Sequence, residues 1–338
     1  MKGRTGFRLL NRMMWGALFL AALVLLAAPA AQAALRSIAV LMLGDIRLSP
    51  FEGLKKGLAD QHLSEGVDFA ITVHDAQGDR SRLDSLARRI VDGKPGVAIA
   101  CGGVEADALK AATQGTTTPV VFLAVASAVE RGLVASMPHP GGNLTGIDTN
   151  DTQLTAKRLW LIKAMFPNVE RVLIPHVPSL TPSVETVKVA EADAPALGIK
   201  IVAVTAPNKE QMRQAILAAA PTASDVLYMG MAAPVWQIER QIFADLSEAH
   251  GIPIFGNNRD DLVRGAAAVY GCSRFEAGVQ AARLVKKILN GASPGDTPAE
   301  TPEGLEFVIN RRTVERLGLT LSNRVWRLAN EVVAVDVP

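Results

Sequence analysis

The chain has 338 residues, 49% of them hydrophobic, with a formal net charge of +2 and two cysteines. That length suits two domains of about 150 residues each, and the apolar share supports a sizeable core. Two cysteines exclude a disulfide-stapled scaffold and a cysteine-rich metal knuckle.

In chain order, the first signal is basic and then apolar. Lys2, Arg4, Arg8 and Arg12 stand with no acid among them, and residues 13–28 are apolar apart from Gly16. Pro29 and the small-residue triplet Ala31-Gln32-Ala33 follow. This order predicts a secretory signal peptide over residues 1–33. The run is shorter than the ~20 apolar residues of a membrane span, and no cysteine stands at the cleavage point to carry a lipid. Without this segment 305 residues remain, and the formal charge becomes −2. No net positive field is left to attract nucleic acid. The expected location is the periplasm.

Strand and helix patterns then alternate. Residues 37–43 (SIAVLML) are a short apolar run, as in a strand covered on both faces. Residues 50–61 place Phe51, Leu54 and Leu58 at helical spacing. A strand is predicted at 69–74 and a helix at 81–92, with Leu83, Leu86, Ala87 and Ile90 on one side. The strand 96–100 leads through Gly102-Gly103 into a helix at 105–113, and 119–124 is the next strand. The turn-rich stretch 137–146 reads as a crossover.

The series repeats beyond it. Helices are predicted at 154–165, 183–197, 209–220 and 235–250, and strands at 171–174, 200–205, 225–229, 252–255 and 266–270. Gly198 is a natural helix stop. A helix at 274–289, a Gly/Pro-rich segment 290–302, a strand at 306–309 and a helix at 311–317 read as pieces returned to the two units. The fold class that follows is α/β, with two doubly wound parallel-sheet lobes. Several chain crossings between lobes imply a hinge and a cleft.

Four ordered segments carry a family likeness. The first is PVVFLAVASAVERGLVAS (119–136) with PGGNLTGI (140–147), and the second is KRLWLIKAMFPNVERVLI (157–174). The third is GAAAVYG (265–271) with GVQAARLVKKILNGASPGDTPAETP (278–302), and the fourth is EFVINRRTVERLGL (306–319). In this order and spacing the chain resembles the ABC transporter substrate-binding proteins of the tryptophan/tyrosine type. The resemblance implies a type I periplasmic-binding fold with a three-strand hinge near 146–148, 271–273 and 298–305. Lobe one would comprise 36–147 plus 273–298, and lobe two 148–272 plus 299–338. It also implies a monomer that closes on a small-molecule ligand and docks on an ABC importer permease, with no cofactor, no metal and no catalytic residue.

Ligands of open parallel sheets sit outside the carboxyl ends of the strands, where helix N-termini offer N–H groups. In lobe one this points to Gly102, Gly103 and Val104, whose glycines let a backbone approach closely. Asp45 and Arg47 would supply charge and Phe51 an aromatic wall. The resemblance places a Ser or Thr hydroxyl near Cys101–Val104, which is absent, and an acid where Ser127 stands. In lobe two, Ser179 and Thr181 offer hydroxyls or helix caps, Met231 an apolar contact, and Asn257 with Arg259 a reader of neutral or anionic groups. Asp148, Tyr270 and Cys272 would face the cleft mouth. Cys101 and Cys272 allow two readings, a bond in an oxidising compartment or two buried thiols.

Other classes fit less well. The five histidines show no metalloprotease spacing, and neither a G-x-S-x-G elbow nor a phosphate-binding G-x-x-x-x-G-K-[ST] loop occurs. A secreted α/β enzyme is therefore a lesser alternative. A periplasmic sensory protein presenting its ligand to a receptor is the nearer one.

Overall fold

The computed structural model describes residues 35–336 apart from 207–208, 220 and 232–239. The expected signal peptide, 1–33, and the first part of the helix expected at 235–250 lie outside the described residues.

The first five strands are β1 (Arg36–Met42), β2 (Phe69–Asp75), β3 (Val97–Ala100), β4 (Val120–Val125) and β5 (Leu144–Asp148). They form one parallel sheet in the order β2-β1-β3-β4-β5. Strand β3 reads VAIA with all four residues buried, because helices cover both faces. Helix α1 (Leu48–Asp60) lies on one face. Helix α2 (Leu83–Asp92) lies on the other, joined there by α3 (Gly103–Ala112). The α2 stripe Leu83, Leu86, Ala87 and Ile90 is buried, as its period requires. The stretch expected to be a simple crossover instead ends in β5. It pairs with β4 along a fully buried LTGID segment.

The second sheet contains β6 (Arg171–His176), β7 (Lys200–Thr205), β8 (Asp225–Tyr228), β9 (Ile254–Gly256), β10 (Ala266–Gly271), β11 (Glu306–Asn310) and β12 (Glu331–Val333). Their order is β12-β11-β10-β9-β8-β6-β7. The run from β7 to β10 repeats the winding of the first sheet. Strand β11 is antiparallel to β10, so this sheet is mixed at one side. Helices α4 (Thr155–Met165) and α5 (Thr181–Asp193) cover one face, with α6 (Lys209–Ala218) and α7 (Arg240–His250) on the other.

Helix α8 (Arg274–Leu289) returns to the first sheet and packs on α1. Ser273 caps it, the hydroxyl accepting from the Glu276 N–H. The two helices touch backbone to backbone. A Cβ on Gly53 would stand 2.0 Å from the Phe275 carbonyl oxygen, and one on Gly278 2.0 Å from that of Pro50. The chain then runs along β5, where Asp148 N–H donates to Glu300 O (2.8 Å) and Glu300 N–H to Gly146 O (2.9 Å). From there it enters β11. Helix α9 (Arg311–Arg316) follows, as its pattern predicts. Two further short elements have no clear local signal, α10 (Asn323–Leu328) and the edge strand β12. Among the described residues no helix is long and apolar enough to cross a membrane.

Candidate functional site

The order β2-β1-β3 places the first sheet's switch point between β1 and β3, and a cavity of about 100 Å³ opens there. That is several times the space one water needs. Lobe one supplies Leu43, Ile46 and Arg47 after β1, Gly103 and Val104 after β3, and Ala126 and Arg131 after β4. Thr149 and Asp151 follow β5, and Arg274 follows β10. Pro182 and Met231 come from the strand ends of the second sheet, beyond β6 and β8. The wall is thus built from both sheets and the segments between them.

The two glycines that open α3 make room for two guanidinium groups. A Cβ on Gly102 would stand 2.4 Å from Arg47 Cζ, and one on Gly103 2.9 Å from Arg131 Nη2. Arg47 is held by Glu105, its Nε donating to Oε1 at 2.8 Å. The same oxygen accepts from the Leu43 N–H, so Glu105, fully buried, ties the β1 loop to α3. Arg131 donates through Nε to the Ala126 carbonyl (3.0 Å) and through Nη1 to Asp107 (2.6 Å).

Behind the cavity lies Arg158, fully buried in α4. Its Nη2 donates to Asp151 Oδ1 (2.5 Å), its Nη1 to the Asp151 carbonyl (2.6 Å) and to Tyr228 Oη (3.1 Å), and its Nε to the Tyr270 carbonyl (2.7 Å). Burial by itself lowers the Arg158 pKa, but Tyr228 and Asp151 beside it leave it raised, so the side chain stays charged. Gly271 lets the fork in, since a Cβ there would meet the Asn257 carbonyl at 2.1 Å and Arg158 Nη2 at 2.9 Å.

Of the residues singled out from sequence, Gly103, Val104 and Met231 share this cavity wall. Gly102 is buried beneath Arg47 as the N-cap of α3. The others are placed elsewhere. Asp45 is exposed in the turn before Arg47. Phe51 is no cleft wall, because helical spacing turns it into the core between α1 and α8. Ser127, at φ 61°, is fully buried with its hydroxyl 3.1 Å from that of Thr152.

Asp148 binds the Ala128 N–H (2.7 Å) and the Asn150 N–H (2.9 Å), and burial raises its pKa. It holds turns together at the end of β5 and does not line the cavity. Ser179 is exposed and Thr181 half-buried at the start of α5, where the loop is closed by Ser183 Oγ accepting from the Val177 N–H. Asn257 is buried, with Nδ2 donating to the Gly230 carbonyl.

Arg259 is taken by Glu306, two bonds of 2.6 Å, and by Glu331, so it is not presented to the cleft. Tyr270 packs against the second lobe's core. Cys101 and Cys272 are both buried and free, which settles the two readings in favour of thiols. Burial pushes Cys272 up to about 12 and Cys101 well above its ordinary range, so neither is a thiolate at neutral pH. Sequence reasoning passes over Arg80, Arg131, Asp151 and Arg274. The strand-end rule would reach Arg131 if the loop after β4 were followed past Ser127. Among the described residues no group of three or more His, Cys, Asp or Glu side chains is placed to hold a metal ion.

Comparison with known proteins agrees with this architecture. A family model described as ABC transporter substrate binding protein matches residues 37–333. The tyrosine-binding protein of Clostridioides difficile is 28% identical over 268 residues, 79% of this chain and 76% of that protein. The crystal structure of a conserved domain protein from Vibrio cholerae matches with a TM-score of 0.80 at 29% identity, over 88% of this chain and 99% of that one. An ABC domain in complex with L-Trp from Streptococcus pneumonia matches with a TM-score of 0.81 at 21% identity, over 89% and 100%. The last likeness speaks to fold alone.

Proposed function

The chain belongs to the ABC transporter substrate-binding protein family and has the type I periplasmic-binding fold, and from that premise we propose that it is a periplasmic solute-binding protein serving an ABC importer. It captures a small organic ligand, an amino acid or an aromatic or branched carboxylate, between its lobes and carries it to the permease. Residues 1–33 are the export segment in this reading, and the protein binds without turning its ligand over.

The observation that carries the proposal is the shared wall of the cavity. Gly103, Val104 and Arg131 come from the first sheet's strand ends, Pro182 and Met231 from those of the second. A ligand touching both sets favours whichever lobe arrangement brings them together, which is how binding energy becomes closure. The tyrosine-binding relative supports a ligand of amino-acid size.

The test is a thermal-shift screen of the exported protein against amino acids, aromatic and aliphatic carboxylates, nucleosides and sugars. A solute that binds only the folded state adds about 2.7 kcal/mol at a hundredfold excess over its Kd. A raised midpoint without consumption of the solute supports the proposal. Turnover of a solute, or no shift with any of them, defeats it.

A further inference from the structure

The charges around the cavity constrain its occupant. Among the described residues four guanidinium groups line the wall, those of Arg47, Arg80, Arg131 and Arg274, against one carboxylate, Asp151. That carboxylate is committed on both oxygens, Oδ1 accepting from Arg158 Nη2 and Oδ2 from Thr149 Oγ1 at 2.8 Å. The neighbouring acid Asp148 is committed on both oxygens to backbone N–H groups. Glu105 uses only Oε1, for Arg47 and the Leu43 N–H, and its Oε2 has no partner, but the side chain is fully buried behind Arg47 and is not part of the cavity wall. Asp107 holds Arg131.

The cationic side is only partly used. Arg47 spends Nε on Glu105, and among the described residues its Nη1 and Nη2 have no hydrogen-bond partner. Arg131 likewise leaves Nη2 over Gly103, at the start of α3. Arg80 is exposed and has no ion-pair partner among the described residues. Apart from Thr149, whose hydroxyl donates to Asp151, the rest of the described wall is apolar, with Leu43, Ile46, Ala124 and Met231.

A carboxylate at this point takes charge-assisted bonds from two guanidiniums and from the first N–H groups of α3. An ammonium on the adjacent carbon would enter the same positive field, and among the described residues the cavity wall offers it no uncommitted carboxylate. Desolvating a charge without a partner is costly.

We propose that the cleft takes a small organic carboxylate that carries no α-ammonium group, held by Arg47 and Arg131 at the start of α3, and rejects the α-amino acid of the same skeleton. This rests on the binding-protein reading above and narrows it.

The experiment is titration calorimetry of the exported protein with matched pairs that differ in the ammonium: 3-phenylpropanoate and phenylalanine, 4-methylpentanoate and leucine, glutarate and glutamate. The expected result is that at least one acid binds and its amino acid binds about tenfold to 100-fold more weakly, the cost of desolvating an ammonium that finds no partner. Arg131→Gln weakens that acid by about tenfold, one such contact. The Asp107 side chain is 42% exposed and stays hydrated without its partner, so the variant remains folded, and its unfolding midpoint falls by the loss of the bond to the Ala126 carbonyl.

An amino acid that binds as tightly as its acid, or a neutral solute as the sole ligand in the wider screen, overturns this inference and leaves the binding-protein reading standing. An acid whose affinity Arg131→Gln does not change overturns the assignment of the site. Silence from every solute overturns both.

Discussion

Arg158 and Asp151 form a buried ion pair, Nη2 to Oδ1 2.5 Å, where the chain leaves the first sheet for the second. The same guanidinium binds the carbonyls of Asp151 and Tyr270 and the Tyr228 hydroxyl, so one side chain joins the crossing to the ends of β8 and β10. It also fixes the part of the cavity wall that Asp151 provides. Arg158→Met removes the cation and leaves the buried Asp151 carboxylate without its counter-charge and the carbonyls of Asp151, Tyr270 and Asn257 without this donor. It is expected to cost about 3–5 kcal/mol, measured by urea denaturation. With Asp151→Asn added, the double variant loses less than the sum of the singles, because the two groups interact directly.

The α1–α8 contact depends on missing side chains. At Gly53, Gly57 and Gly278 the atoms a Cβ would strike at 2.0–2.5 Å are backbone carbonyl oxygens of the facing helix, which cannot rotate away. Gly278→Ala is expected to push the helices apart and cost about 1–3 kcal/mol, the range for overpacking. The gain in helix propensity, about 1 kcal/mol in the other direction, does not offset that. A thermal melt of the variant checks it.

At Gly102 the obstruction is different. A Cβ there meets the guanidinium of Arg47, the far end of a flexible side chain, and the φ of −171° suits any residue. Gly102→Ala therefore displaces Arg47 from the fully buried Glu105, with an expected stability cost of about 1–3 kcal/mol. Ligand affinity falls if Arg47 contacts the ligand, and calorimetry separates the two effects.

Arg259 gives the opposite expectation. Its three carboxylate contacts lie on a partly exposed edge of the second sheet, and its side chain is 40% exposed. Arg259→Ala is expected to cost no more than about 1 kcal/mol, as for a surface pair, with ligand affinity unchanged. A drop in affinity would return this residue to the site.

Asp261 sets a pH dependence. Burial raises its pKa from 3.8 to about 6, partly countered by Arg264 and by the Asn257 N–H that its Oδ2 accepts. The folded state thus holds the proton more tightly than the unfolded state. Its contribution to stability is complete below about pH 4 and is lost as pH rises toward about 6, at roughly 1.4 kcal/mol for each pH unit between them. Asp261→Asn keeps an oxygen for the Asn257 N–H and flattens the stability profile between pH 4 and 6. Denaturation midpoints across that range test the sign.

The elements themselves were legible from local pattern. Leu83, Leu86, Ala87 and Ile90 recur with the helix period, and VAIA at 97–100 is apolar throughout, because burial acts on each face of an element and leaves its period in the chain. Residues 144–148 were less legible. LTGID has a strand's length but sits among turn residues, and only pairing with β4 makes it a strand.

At the cavity, the strand-end rule reached Gly103, Val104 and Met231, since the sheet's winding order decides where strand ends converge. It could not say which neighbouring charge faces inward. Arg259 and Arg131 both stand in loops beyond strand ends. Arg259 is drawn to Glu306 and Glu331, 47 and 72 residues away. Arg131 swings over Gly103 toward Asp107. Arg158, beside Lys157, reads in sequence as an ordinary helix charge, yet it is fully buried. The sequence by itself determined the two α/β lobes and the approximate position of the cleft, because hydrophobic periodicity and strand-end glycines are local properties. Only the tertiary structure decided the charge of the cleft wall, because the direction of a guanidinium is set by carboxylates that distant parts of the chain bring to it.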